Sequence, residues 1–245
     1  MTPEEYCQQK AAGSGSSFYY SFLFLPPLRR RAITALYAFC REVDDVVDEC
    51  HDQQLAAIKL AWWREEVAKL YAGTPEHPVT RALLPLLGDF NLPQEHLQEI
   101  INGMEMDLGE VRYADFTALS LYCYRVASVV GLLTVEIFGF QDRQTLKYAH
   151  DLGMAFQLTN IIRDVGEDER FGVPLADILA TRDSENFRQL MAFQIERAEH
   201  YYTEAMNKLP ASDRKTQRPG LIMAAIYRTL LDEIKRDDCP VMNQH

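Results

Sequence analysis

Apolar residues recur at the helical spacing along nearly the whole chain, and no alternating stretch lasts long enough to make a strand. "PPLRRRAITALYAFCREVDDVVDE" begins on Pro26-Pro27, a pair suited to a first helical turn, and continues without a breaker. "QQLAAIKLAWWREEVAKLYAG" stops at Gly73 before the loop composition "TPEHP", and a short helix is expected from Pro78 to Leu87. Pro93 opens "PQEHLQEIINGMEMDLGE", and Asp115 is placed to cap "FTALSLYCYRVASVVGLLTVEIFG". "DRQTLKYAHDLGMAFQLTNIIRDVGED", "SENFRQLMAFQIERAEHYYTEAMNKL" and "PGLIMAAIYRTLLDEIKRD" complete the series. With no repeat, low-complexity segment or linker, residues 1–245 are expected to form one all-α domain. About eight to ten helices account for the pattern.

The remaining composition excludes several classes of function. A net charge of −11 and a pI near 5.0 argue against a nucleic-acid partner. No apolar run reaches the roughly 18 residues of a membrane span. The polar start "MTPEEYCQQKAAGSGSS" lacks the features of a signal peptide, so the cytoplasm is the expected location. Cys7, Cys40, Cys50, Cys123 and Cys239 are scattered without a CxxC, which predicts reduced thiols and no zinc site.

One helix carries charges that stability alone does not explain. "YAFCREVDDVVDE" crowds Asp44, Asp45, Asp48 and Glu49 together, although like charges at i,i+4 each cost a helix about 0.2–0.5 kcal/mol. With Tyr37 at 0°, Arg41 lies at about 40°, Asp44 at about −20° and Asp48 at about 20°, one narrow stripe. An isolated stripe of this kind is ordinarily a solvated helix face. "QLTNIIRDVGED" repeats it: with Asn160 at 0°, Gln157, Asp164 and Asp168 fall at about 60°, 40° and 80°. Alone, it would read as a polar helix end. Two such stripes, each beside an arginine (Arg41, Arg163), point to a shared task. Oxygen ligands without His or Cys suit Mg²⁺, which keeps several waters and bridges carboxylates to phosphates. A diphosphate held between the stripes is the expectation. The aromatic run "SSFYYSFLFLPP", the small residues Ala127, Ser128 and Gly131, and the interior glycines Gly103 and Gly153 add an elongated apolar tunnel. Close helix packing is the competing reading of each glycine. A long isoprenoid diphosphate suits both halves.

At these residues the chain resembles the squalene/phytoene synthase family. The matching blocks are "SSFYYSFLFLPP", "ALYAFCREVDDVVDE", "YCYRVASVVG", "AFQLTNIIRDVGED" and "AAIYRTLL", in family order across most of the chain. The resemblance implies an all-α isoprenoid synthase fold whose central cavity joins two prenyl diphosphates head to head. It implies that Asp44, Asp48, Asn160, Asp164 and Asp168 are Mg²⁺ ligands. Ser17, Phe18, Tyr37, Arg41, Tyr122, Gln157, Arg163 and Tyr227 would face the diphosphate or the prenyl cation, and Asp45 and Glu49 would stand behind the ligands. Within the family, "SGSSFYYSFLFLPP" and "VASVVG" are most similar to bacterial presqualene diphosphate synthases of hopanoid biosynthesis; other branches more often read "VAGxVG", where this chain has Ser128.

Two departures stand out. After "RDVGED" the family continues with a segment resembling "R.GRIYLP.DEL", whereas "ERFGVPLADI" follows directly here. That segment is either deleted or a mobile lid this sequence does not represent. The chain also stops at "CPVMNQH", short of the family's basic C-terminal helix. Both would supply further cationic contacts.

The reaction implied is condensation of two farnesyl diphosphates, with diphosphate leaving one and proton loss closing a cyclopropane in presqualene diphosphate. Tyr37, Tyr122, Tyr227 or the diphosphate would accept the proton. Phytoene, dehydrosqualene or squalene synthesis is the alternative within the family. An elongating prenyltransferase would show two DDxxD motifs, and a terpene cyclase an Asn/Ser/Glu triad; "NIIRDVGED" matches neither. A non-catalytic assembly factor would have lost the carboxylates. Lipidic substrates and products imply a peripheral membrane contact, on the inner membrane, and downstream enzymes of the pathway as partners.

Overall fold

Thr2 and Glu5 close a capping box that starts α1 (Pro3–Gly13), a helix with little apolar periodicity and only Cys7 and Ala11 buried. In the computed structural model, which describes residues 1–50, 52–109, 113, 115–164 and 185–236, eleven α-helices and no strand occur among the described residues. After α1 come α2 (Ser17–Phe22), α3 (Pro27–Asp48), α4 (Gln53–Tyr71), α5 (Pro78–Leu83) and α6 (Gln94–Asp107). The second half holds α7 (Phe116–Cys123), α8 (Val129–Phe138), α9 (Gln144–Asp164), α10 (Glu185–Lys208) and α11 (Arg218–Arg236). Pro27 starts α3 and Asp115 caps α7 through the Ala118 amide at 2.9 Å, as the sequence predicts. A 3₁₀ turn, Leu84–Gly88, extends α5.

The stretch after Asp115 departs from the continuous helix expected. Tyr124–Ser128 forms a π turn between α7 and α8, a rare local widening often found at functional sites. The stretch Phe116–Phe138 is also long and apolar enough to cross a membrane by length and composition, which corrects the expectation that no run reaches that length. Within it Cys123, Val129, Leu133, Ile137 and Phe138 are buried, and it lies against α6 and α9.

Gly153 explains how closely α9 approaches the π turn. A Cβ there would lie 2.6 Å from Ser128 Cα and 2.8 Å from the Ala127 carbonyl oxygen, both backbone. At Gly103 it would lie 2.7 Å from Val126 Cγ1. The glycines therefore serve close helix packing first; Gly131 and Gly153 also border the cavity, whereas Gly103 does not.

The buried side chains form two clusters. One joins α1–α6 and α8 around Phe39, Leu36, Trp63 and Ile101. The other joins α7–α11 around Tyr148, Leu158, Tyr202 and Leu231. Val126, in the π turn, packs against both. The cavity described below draws its walls from both clusters.

One buried carboxylate secures the first cluster. Glu66 on α4 is fully buried, and its Oε1 accepts from the amides of Glu76 and His77 at 2.7 Å and from the Thr80 hydroxyl at 2.5 Å. Glu66→Ala would leave these donors unpaired and is expected to cost about 3 kcal/mol. That lowers the melting temperature by about 6–12 °C, measurable by calorimetry. Burial pushes the Glu66 carboxyl up, but these hydrogen bonds outweigh it and hold the pKa below its usual 4.5. The stabilising charge is thus fully present above that value and is lost as the pH falls below it, so the gap between wild type and Glu66→Ala should narrow in acid.

Candidate active site

A cavity of about 500 Å³ opens between the two clusters, a size typical of small-molecule sites. From α3 it is lined by Tyr37, Arg41, Asp44 and Asp48, and from α9 by Gln157, Asn160, Arg163 and Asp164. Phe18 of α2, Tyr122 of α7 and Tyr227 of α11 join them. The helical spacing therefore located both stripes, and the fold brings them to one cavity. Asp45 and Glu49 are not in the lining. Asp168 lies outside the described residues, as does the side chain of Ser17; the backbone of Ser17 begins α2.

The placement of the carboxylates runs against helix electrostatics. Asp48 is the last residue of α3 and Asp164 the last described residue of α9. Carboxylates near a helix C-terminus face the negative end of its dipole. Asp107, the last residue of α6, also lines the cavity and accepts a hydrogen bond from the Tyr122 hydroxyl at 3.1 Å. Asp107 is not among the residues that the sequence singles out, because its helix carries no stripe of oxygen side chains like those of α3 and α9. It shares the cavity lining, and its place at a helix end, with Asp48 and Asp164.

Each stripe is held by its own arginine. Arg41 reaches Asp44 Oδ2 at 2.5 Å and Asp45 Oδ1 at 2.7 Å. Burial would lower the Arg41 pKa, but Asp44, Asp45, Tyr37 and Asp48 outweigh it and raise it. Arg163 clasps Asp164 in a two-point pair at 2.6 and 2.8 Å, the fork geometry that suits carboxylates and phosphates alike. Behind the first stripe, Lys10 of α1 holds Asp45 Oδ2 at 2.6 Å and Glu42 at 3.2 Å. Asp45 therefore steadies Arg41 from outside the cavity, the supporting place expected for it. Glu49 caps the end of α3 and is exposed.

Tyr227 connects the two sides. Burial raises the pKa of its phenol; Arg163 and a hydrogen bond with Asn160 pull it down, while Tyr37 and Asp164 push it up. A single hydroxyl thus senses groups of both stripes. Its ring lies 4.7 Å from Phe156 and 5.8 Å from Phe18, and the Phe18 and Phe156 rings are 5.8 Å apart. Beyond this aromatic group the lining is largely apolar, with Ile33, Leu36, Ile100, Met104 and Val130. Cys40 also borders the cavity; burial pushes its thiol up to about 12, so it stays protonated.

Ser128 lies elsewhere. It is fully buried and donates to the His150 carbonyl at 2.8 Å, tying the π turn to α9. The Ser in "VASVVG" is thus a packing residue, not part of the cavity lining, and does not itself read the substrate.

The family model described as squalene/phytoene synthase matches residues 11–245. The chain belongs to this family. Squalene/phytoene synthases join two prenyl diphosphates head to head, and the chain is a prenyltransferase of that kind with the isoprenoid synthase fold. It is 37% identical over 266 residues to a phytoene synthase of Arthrospira platensis, covering 98% of this chain and 86% of that one. It is 34% identical over 244 residues to a presqualene diphosphate synthase of Rhodopseudomonas palustris, covering 94% and 87%. A crystal structure of a dehydrosqualene synthase superposes with a TM-score of 0.85 at 26% identity, covering 98% of this chain and 89% of that chain.

Proposed function

We propose that the protein condenses two molecules of farnesyl diphosphate into presqualene diphosphate with release of diphosphate. The observation that carries this reading is the convergence of two oxygen-rich helix ends, joined through Tyr227, on a cavity whose remaining walls are mostly aromatic and aliphatic.

The donor set suits Mg²⁺. All candidate ligands offer hard oxygens, and Asn160, a residue of the cavity lining, has a buried Oδ1 without a hydrogen-bond partner. Among the described residues no three His, Cys, Asp or Glu side chains cluster as a ready-made cage. An ion that takes one or two protein carboxylates and completes its shell with water and phosphate needs none. Asp44 and Asp48 on one side, and Asn160, Asp164 and Asp168 on the other, would hold the ions. Bound there, Mg²⁺ supplies the positive charge that binds diphosphate and favours its departure.

The protein's own groups do the rest. Arg41 and Arg163, now turned onto carboxylates, can exchange those partners for diphosphate oxygens. Tyr227, Phe18 and Phe156 present ring faces to the allylic cation left when the C1–O bond breaks. The C2=C3 electron pair of the second substrate then bonds to that C1, and loss of a proton closes the cyclopropane. Because the Tyr227 phenol is held above its usual range, it stays neutral and is a poor base. The departing diphosphate is the better proton acceptor. The apolar walls keep water from the cation.

A second reading, head-to-head joining of geranylgeranyl diphosphate to phytoene, draws on the relatives named phytoene synthase. Incubation with labelled farnesyl or geranylgeranyl diphosphate, Mg²⁺ and no reduced nicotinamide separates the two. Presqualene alcohol after phosphatase treatment of the farnesyl reaction is expected. Phytoene as the sole product, from the longer substrate only, would overturn the farnesyl reading.

A further inference from the structure

The turn between α2 and α3 exposes large apolar side chains that nothing in the described protein covers. Phe24 is 83% exposed, Tyr20 61%, Leu23 45% and Leu28 44%. Three arginines follow at once, in an α3 start that has no acidic residue in its first turn and no side-chain cap. Cations at a helix N-terminus oppose the helix dipole, so helix electrostatics alone do not account for this arrangement. Arg29 donates to the Phe138 carbonyl at the end of α8 and so pins the turn in place. Arg30 is exposed, and the exposed Arg31 meets Glu4 at 3.3 Å.

We propose that this corner seats the protein on an anionic phospholipid surface, with Phe24, Leu23, Tyr20 and Leu28 entering the interface and Arg30 and Arg31 meeting the headgroups. Amphipathic elements of this kind bind by apolar burial together with attraction to anionic lipid. Charge complementarity singles out this corner. The chain as a whole carries −11 and is repelled by such a surface, which favours approach through a basic, apolar face. A second copy is a poor occupant for the same reason, since a two-fold contact would set these arginines against each other. Position adds to the argument: on α2, Phe18, Ser21 and Phe22 line the cavity while Tyr20 faces solvent. One short helix therefore lies between the cavity and the proposed bilayer contact. None of this depends on which prenyl diphosphate is condensed.

Flotation of the full-length protein with vesicles tests the proposal without any turnover. Vesicles of phosphatidylcholine with about one-third phosphatidylglycerol should carry the protein, and pure phosphatidylcholine should carry little. Raising salt from about 0.1 to about 0.5 M should weaken the binding. The double variant Leu23→Ser/Phe24→Ser should bind about tenfold less, and Arg30→Glu should lose the preference for the anionic vesicles. Both should keep the wild-type melting temperature and turn over detergent-dispersed substrate normally. Absence of wild-type binding, or equal binding by wild type and both variants, would overturn the proposal. So would a wild-type dimer in light scattering that Leu23→Ser/Phe24→Ser dissociates, which would make this corner a contact between copies.

Discussion

Asp48→Ala is expected to lower product formation by about a thousandfold or more, because a lost metal ligand removes charge stabilisation of the departing diphosphate. Its melting temperature should stay level or rise by about 2 °C. The two effects have opposite signs for one reason. Asp48 ends α3 beside Asp44, Asp45 and Glu49, against both the helix dipole and its like-charged neighbours, so the folded protein without cations is eased by its removal. Asp164→Ala should lose activity to a similar degree from the opposite helix. Its stability gain should be smaller, because Arg163 already neutralises it in a two-point pair. Glu49→Ala serves as the comparison: this carboxylate is one residue further along, exposed and outside the cavity lining, and substantial activity should remain. Turnover assays beside thermal melts decide the matter. Equal losses at Asp48 and Glu49, or unfolding on replacing Asp48, would mean that the charges hold structure.

Removal of divalent cations is the second large effect. EDTA should abolish turnover, and Mg²⁺ or Mn²⁺ should restore it, because the donors at both helix ends are oxygens alone. The fold should survive the treatment. The Arg41 and Arg163 pairs already neutralise part of each stripe, so circular dichroism and the melting temperature should change little in EDTA. Full turnover in a metal-free preparation would contradict the assignment of the stripes. Collapse of the fold in EDTA would instead give the cations a structural part.

Most of the helices and most of the site were legible in the sequence because both depend on the same period. Apolar side chains at helical spacing mark α3, α4, α6 and α9, and polar oxygens at that spacing mark the cavity face of α3 and α9. Elements without that signal were missed. α1 buries only Cys7 and Ala11, yet it delivers Lys10 to the back of the acidic stripe. The π turn at Tyr124–Ser128 breaks the period within an apolar run, where nothing polar marks the change of register. Asp107 belongs to no such stripe in its helix and gains its meaning from the Tyr122 hydroxyl and from Asp48 and Asp164 lining the same cavity. Ser128, expected as one of the small residues beside the tunnel, is not in the cavity lining. Its hydroxyl spends its hydrogen bond on the His150 carbonyl, a helix-packing contact that the spacing of small residues does not reveal.

Manganese binding in the presence of a non-hydrolysable thio analogue of farnesyl diphosphate, followed by electron paramagnetic resonance, asks most directly whether the two helix ends work as one site. Wild-type protein should bind Mn²⁺ more tightly with the analogue than without it. Asp44→Asn on α3 and Asp164→Asn on α9 should each weaken that binding by about tenfold or more, although the two carboxylates come from helices far apart in sequence. If either variant binds Mn²⁺ and the analogue as the wild type does, the cation is not shared between the stripes, and the two-helix site is wrong.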